Sequence, residues 1–158
     1  KFFLFRKPYA SKMPFLYEQF LSNVIHAQMT NKIVPIRTSS KQLASELMLY
    51  QKSRPSFSAE ELQQFSLPVG INELLLTTQD LDDITNPQLI YIDGAHDYQS
   101  VSEDLKIWYQ FVTPSTVFCG DDWKWPGVKQ AVTEFAQQHN LKINAANNFW
   151  ELAPRKQS

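Results

Sequence analysis

Glycine is scarce in this chain, with four residues in all at Gly70, Gly94, Gly120 and Gly127. Glycine lets a backbone approach a bound nucleotide closely, so the segment before Gly70 has no glycine-rich cofactor loop. The lone cysteine, Cys119, excludes an internal disulfide. A reducing compartment is then the default, and a cytoplasmic location is expected. The formal net charge of −1 gives no electrostatic case for nucleic acid or an anionic membrane as partner. No apolar run approaches the ~20 residues a membrane helix needs, and neither end reads as a targeting signal. An initiator methionine is also lacking. The chain opens at Lys1 on an apolar run, which leads us to expect an upstream part.

What remains is ordinary globular material, 43% apolar and 20% charged over 158 residues. A single domain spanning 1–158 is expected. Its organising stretch runs from Leu89 to Val128. The apolar run Leu89-Ile90-Tyr91-Ile92 stops at Asp93, and a second, Thr116-Val117-Phe118-Cys119, stops at Asp121 and Asp122. Between them Val101, Leu105, Trp108, Tyr109 and Val112 recur at helical spacing. Strand, helix, strand is a crossover, and a crossover makes the strands parallel. Parallel strands present their functional groups at their carboxyl ends, so three carboxylates arrive at one sheet edge. Hard carboxylate oxygens suit Mg²⁺ or a similar divalent ion; the same acids also serve as caps of loops and helix starts. His96, in the turn after Asp93, is either a general base or an exposed turn residue. Trp123 and Trp125 either wall a pocket or pack as core aromatics.

Elsewhere the pattern predicts a strand at Phe2–Phe5, a helix over Phe15–Met29 and a strand at Ile33–Ile36 with Pro35 marking an edge. A cap at Thr38-Ser39-Ser40 precedes a helix from Lys41 to Tyr50. Residues 53–83 read as an insertion or lid: Ser58 and Glu61 form a capping box for a short helix over Ala59–Phe65, and Asp80, Asp82 and Asp83 form an acidic patch on a solvated connection. Ser100 and Glu103 predict a further capping box. Pro126 opens a helix burying Val128, Ala131, Val132 and Phe135. Leu141–Asn144 and Phe149–Leu152 predict two closing strands.

The stretches IYIDGAHDYQSVSEDLKIW and TVFCGDDWKWPGVKQAVTEFAQQHNL resemble class I S-adenosylmethionine-dependent methyltransferases. The likeness is strongest to the macrocin-type sugar O-methyltransferases, and it extends to the metal-dependent catechol and caffeoyl-CoA O-methyltransferases. It covers most of the chain from about Tyr17, apart from 53–83. In that family an acid ends the fourth strand and an acid pair ends the fifth. The resemblance therefore implies Asp93, Asp121 and Asp122 as ligands of Mg²⁺ or a similar divalent metal, and His96 as catalytic base. It implies Ser39, Ser40 and Asp93 as contacts of S-adenosylmethionine.

The fold so implied is α/β, a Rossmann-like methyltransferase sheet, mostly parallel with helices on both faces. Its N-terminal strand or strands are expected to be missing or altered, because the glycine-rich loop and the ribose-binding acid are absent and Arg6-Lys7 stand where that acid belongs. The implied function is metal-assisted O-methylation of a small-molecule hydroxyl, with sugars and phenols as the implied acceptor classes. The alternative is a truncated or degenerate methyltransferase-fold module serving assembly or regulation. A nucleotide-sugar transferase or a phosphoacceptor receiver domain also clusters acids, but the order of motifs argues against both. Unpaired strand edges would favour a homo-oligomer.

Overall fold

A computed structural model of the protein describes residues 2–5, 16–36, 38–54 and 78–154. The chain forms two compact units, Lys1–Thr85 and Asn86–Ser158. Among the described residues no helix is long and apolar enough to cross a membrane.

In the first unit, β1 (Phe2–Phe5) pairs in parallel with β2 (Ile33–Ile36), Phe2 opposite Ile33 and Phe5 opposite Ile36. Helix α1 (Leu16–His26) lies between them in sequence, as a parallel connection requires. Ser39 caps α2 (Ser40–Ser53), its side-chain oxygen accepting the Gln42 N–H at 3.2 Å. Leu43, Ala44, Leu47 and Tyr50 form the buried stripe of this helix.

Helix α3 (Thr78–Thr85) then corrects the expectation of a solvated acidic patch. Its period buries Asp80, Leu81, Ile84 and Thr85. Asp82 is anchored to α2: the Tyr50 hydroxyl donates to it at 3.0 Å, and the Arg54 guanidinium donates to both its oxygens. The rest of the expected insertion or lid, residues 55–77, lies outside the described residues, as do the Ser58–Glu61 capping box and the helix predicted over Ala59–Phe65.

The second unit is one four-stranded sheet with two helices. Its strands are β3 (Leu89–Ile92), β4 (Val117–Gly120), β5 (Leu141–Ala146) and β6 (Phe149–Pro154), in the spatial order β3-β4-β6-β5. β3 and β4 are parallel neighbours, with Ile92 opposite Gly120. β6 pairs antiparallel with both β4 and β5. Two of this sheet's three ladders are thus antiparallel, against the expectation of a mostly parallel sheet. The reason is local. Asn147 and Asn148 form the whole link between β5 and β6, a hairpin that permits only antiparallel pairing. Asn147 takes a φ of 56°, which asparagine tolerates.

Helices α4 (Tyr98–Trp108) and α5 (Pro126–Gln138) pack together, and α5 sets Phe135 edge-on against Phe118 with ring centroids 6.4 Å apart. Trp150 meets the same Phe118 ring edge-on at 6.2 Å. Val128, Ala131, Val132 and Phe135 are buried, as their spacing predicts. The start of α4 differs from the expected Ser100–Glu103 capping box. Asp97 is the cap, accepting the Ser100 N–H at 2.9 Å, while Glu103 accepts from the Gln99 amide. An ionised Asp draws the helix start upstream because it accepts more strongly than a serine hydroxyl. On the other sheet face Leu89, Tyr91, Val117 and Phe149 are partly exposed.

Two stability predictions follow from this packing. A Cβ at Gly120 would lie 2.4 Å from the Ile92 carbonyl oxygen and 2.4 Å from the Trp150 ring. Gly120→Ala is expected to cost about 1–3 kcal/mol, read as a lowered denaturation midpoint; an unchanged midpoint would refute this packing. The Arg54 guanidinium holds the Asp82 carboxyl below its usual range. A depressed folded-state value contributes stability above the unfolded value, about 3.9, and that contribution disappears as pH falls through the folded value. Asp82→Asn should therefore lower the melting temperature at neutral pH, and the gap to wild type should close as the pH falls through the depressed folded-state value of Asp82. A gap that persists in acid would mean that the pair contributes nothing through its charge.

Candidate functional site

The site forms where β3 and β4 end side by side. The Asp121 N–H donates to the Ile92 carbonyl at 3.1 Å, extending the parallel ladder one step past both strands. Asp93 and Asp121 therefore leave the sheet at neighbouring positions, and Asp122 follows. Asp122 adopts a φ of 63°, in the left-handed region that Asp enters more readily than most residues. The Trp125 N–H donates to the Asp122 carbonyl at 2.9 Å and closes the turn into α5.

Each carboxylate meets a different environment. Asp121 accepts the Asp122 N–H at 2.8 Å, and its backbone carbonyl accepts the Trp150 indole N–H at 2.8 Å. Desolvation raises the Tyr91 hydroxyl above its ordinary range, and the nearby negative charges of Asp121 and Asp93 raise it further. Tyr91 is thus kept neutral. Asp122 places Oδ2 2.6 Å from His96 Nε2 and accepts the Asn148 amide at Oδ1, 3.1 Å away. Asp93 is exposed and engages no side chain among the described residues.

His96 is held on three sides. Asp122 takes Nε2, and the Trp125 indole stacks on the imidazole with centroids 4.7 Å apart and planes 24° from parallel. Beneath them, Gly127 opens α5 against the turn. A Cβ there would come within 2.5 Å of the His96 carbonyl oxygen, so only glycine lets this turn sit so close. An ionised carboxylate only accepts hydrogen bonds. The contact therefore needs the proton on Nε2, which leaves Nδ1 as the base of a neutral ring. The imidazole remains 39% exposed, open to a solute from solvent.

Of the residues singled out in the sequence, His96 and Asp122 are brought into contact. Asp93 and Asp121 share the same strand-end edge. The expected metal set of Asp93, Asp121 and Asp122 is not assembled as they stand: among the described residues, no group of three or more His, Cys, Asp or Glu is arranged to hold a metal ion. The cause is the division of acceptors just described. Ser39 and Ser40 belong to the first unit, where Ser39 is occupied as the cap of α2. Trp125 is half exposed beside His96, whereas the Trp123 ring has the Lys129 ammonium over it at 5.6 Å. Cys119 is buried, and burial, with Glu151 nearby, pushes its thiol up to about 11, so it is no nucleophile.

Three site residues have no signal in the sequence. Tyr91 reads as one apolar strand residue among four. Phe149, whose ring stacks on Tyr91 at 6.5 Å, and Asn148 read only as hairpin and strand. Their placement depends on β6 pairing with β4, which no local pattern reports.

A family model described as a methyltransferase domain matches residues 19–123, well over half of the chain. No curated protein matches it. The matched range contains Asp93, His96, Asp121 and Asp122, while Trp125 and Asn148 fall outside it. With β3 and β4 parallel and acids at both strand ends, the chain belongs to the methyltransferase-domain family.

Proposed function

We propose that this protein is an S-adenosylmethionine-dependent O-methyltransferase acting on a small-molecule hydroxyl, with His96 as its general base. The observation that carries the reading is the 2.6 Å contact between His96 Nε2 and Asp122 Oδ2 at the carboxyl edge of the parallel pair. A partly exposed imidazole oriented by a carboxylate through Nε2, which leaves Nδ1 to accept a proton, suits the removal of a hydroxyl proton.

S-adenosylmethionine, when bound, supplies an electrophilic methyl group. Asp93, exposed at the end of β3, is the residue of the second unit that would help to hold it. His96 Nδ1 would take the proton of the acceptor hydroxyl. Asp122 stabilises the imidazolium so formed, keeping Nε2–H directed at its own oxygen. Trp125 limits rotation of the ring and shields one of its faces from water.

Metal assistance through Asp93, Asp121 and Asp122 is the second reading. It is supported by the ladder that brings Asp93 and Asp121 to neighbouring positions. It requires the oxygens of all three carboxylates to converge on one ion, and as they stand no such group is assembled among the described residues.

The test is methyl transfer from labelled S-adenosylmethionine to a panel of phenols and sugars by the full-length protein. His96→Ala should reduce turnover by about a hundredfold or more, with S-adenosylmethionine affinity close to wild type. Undiminished turnover in His96→Ala would remove the imidazole from the mechanism. No transfer to any acceptor, together with no binding of S-adenosylmethionine, would favour the non-catalytic module.

A further inference from the structure

We infer that Asn148, in the hairpin between β5 and β6, is a positioning residue that sets the catalytic imidazole through Asp122. The inference rests on His96 being the base. Asn148 makes three contacts with the loop that carries Asp122. Its side-chain amide donates to Asp122 Oδ1 at 3.1 Å, its side-chain carbonyl accepts the Lys124 N–H at 3.4 Å, and its backbone carbonyl accepts the Trp123 N–H at 2.8 Å. The two backbone donors lie on either side of one peptide of the loop. The amide donor alone reaches the reacting group.

A carboxylate has two oxygens and rotates about its last torsion over a broad, roughly two-fold well. Asp122 Oδ1 bound to Asn148 fixes that torsion, and Oδ2 is then the oxygen left for His96 Nε2. Without the amide the carboxylate can turn, and Nε2 loses a directed acceptor. The imidazole would then populate its other tautomer, with the proton on Nδ1, which is then no longer available as a base. The hydrogen bonds of Asn148 reach Asp122, Trp123 and Lys124 and not His96, so its effect on the imidazole passes through Asp122. β6 is thereby made part of the site, although it and the hairpin lie beyond the matched range of 19–123.

The experiment is nitrogen-15 NMR of the His96 ring in the full-length protein, compared with Asn148→Ala and Asn148→Asp. Asn148→Asp is isosteric and keeps a residue suited to the turn, so it guards against loss of the hairpin in the alanine variant. Wild type should show a protonated, exchange-protected Nε2 and an unprotonated Nδ1. Asn148→Asp, still folded by circular dichroism, should lose the protected Nε2–H signal and show mixed tautomers. Its kcat should fall about ten- to a hundredfold, with KM for S-adenosylmethionine unchanged. A wild-type Nε2–H signal that survives in folded Asn148→Asp would overturn the inference, as would a wild-type ring without that signal. The tautomer needs no turnover to be read. Failure of His96 as base would appear only in the His96 variant's rates, and failure of Asn148 only in the ring signal.

Discussion

Two strands of the second unit converge on Gly120 of β4, and the site depends on that convergence. The Ile92 carbonyl from β3 and the Trp150 ring from β6 both occupy space that any side chain at Gly120 would need. Their closeness lets the β3–β4 ladder continue to Asp121, whose N–H bonds the same Ile92 carbonyl. It also lets the Trp150 indole hold the Asp121 carbonyl. The loop bearing the acid pair is therefore pinned at its first residue from both neighbouring strands. Everything downstream, from the left-handed turn at Asp122 to the start of α5, takes its position from this pin.

Packing three carboxylates at one strand-end edge raises the question of what balances their charge. In this protein the answer is distributed. The Asp121 carboxylate is satisfied by the backbone, Asp122 by His96 and Asn148, and Asp93 stays in solvent. Three carboxylates around one ion would need their oxygens to converge. Here the left-handed backbone at Asp122 sends its side chain toward the β3–α4 turn and the hairpin. The same turn that separates the acids builds the histidine–carboxylate pair. The choice between the two chemistries thus comes down to where one aspartate side chain is held.

Much of this fold is legible in the sequence because the signals are local. Apolar runs ended by acids give β3 and β4, and Pro126 with its helical spacing gives α5. Where several residues compete for one role, the reading is less secure. Asp97 outcompetes Ser100 as the cap of α4 because an ionised acceptor binds backbone N–H groups more strongly. The acids of α3 read as a solvated patch because the sequence does not show that Arg54 and Tyr50 reach Asp82. Strand order is the least legible feature. Nothing in Phe149–Pro154 says that β6 inserts between β4 and β5, yet that insertion brings Asn148 to Asp122 and Phe149 to Tyr91. His96 and Asp122 were both readable as candidates from their spacing; their partnership was not, because it needs the turn at Asp122.

The most direct measurement of whether Asp122 serves the imidazole or a metal is a Mn²⁺ titration of the full-length protein and of Asp122→Asn, followed by electron paramagnetic resonance. With Asp122 committed to His96, Mn²⁺ should bind only weakly, at millimolar concentration, and equally to both proteins. A micromolar site in the wild type that disappears in Asp122→Asn would show that the acids converge on an ion, and would contradict the account.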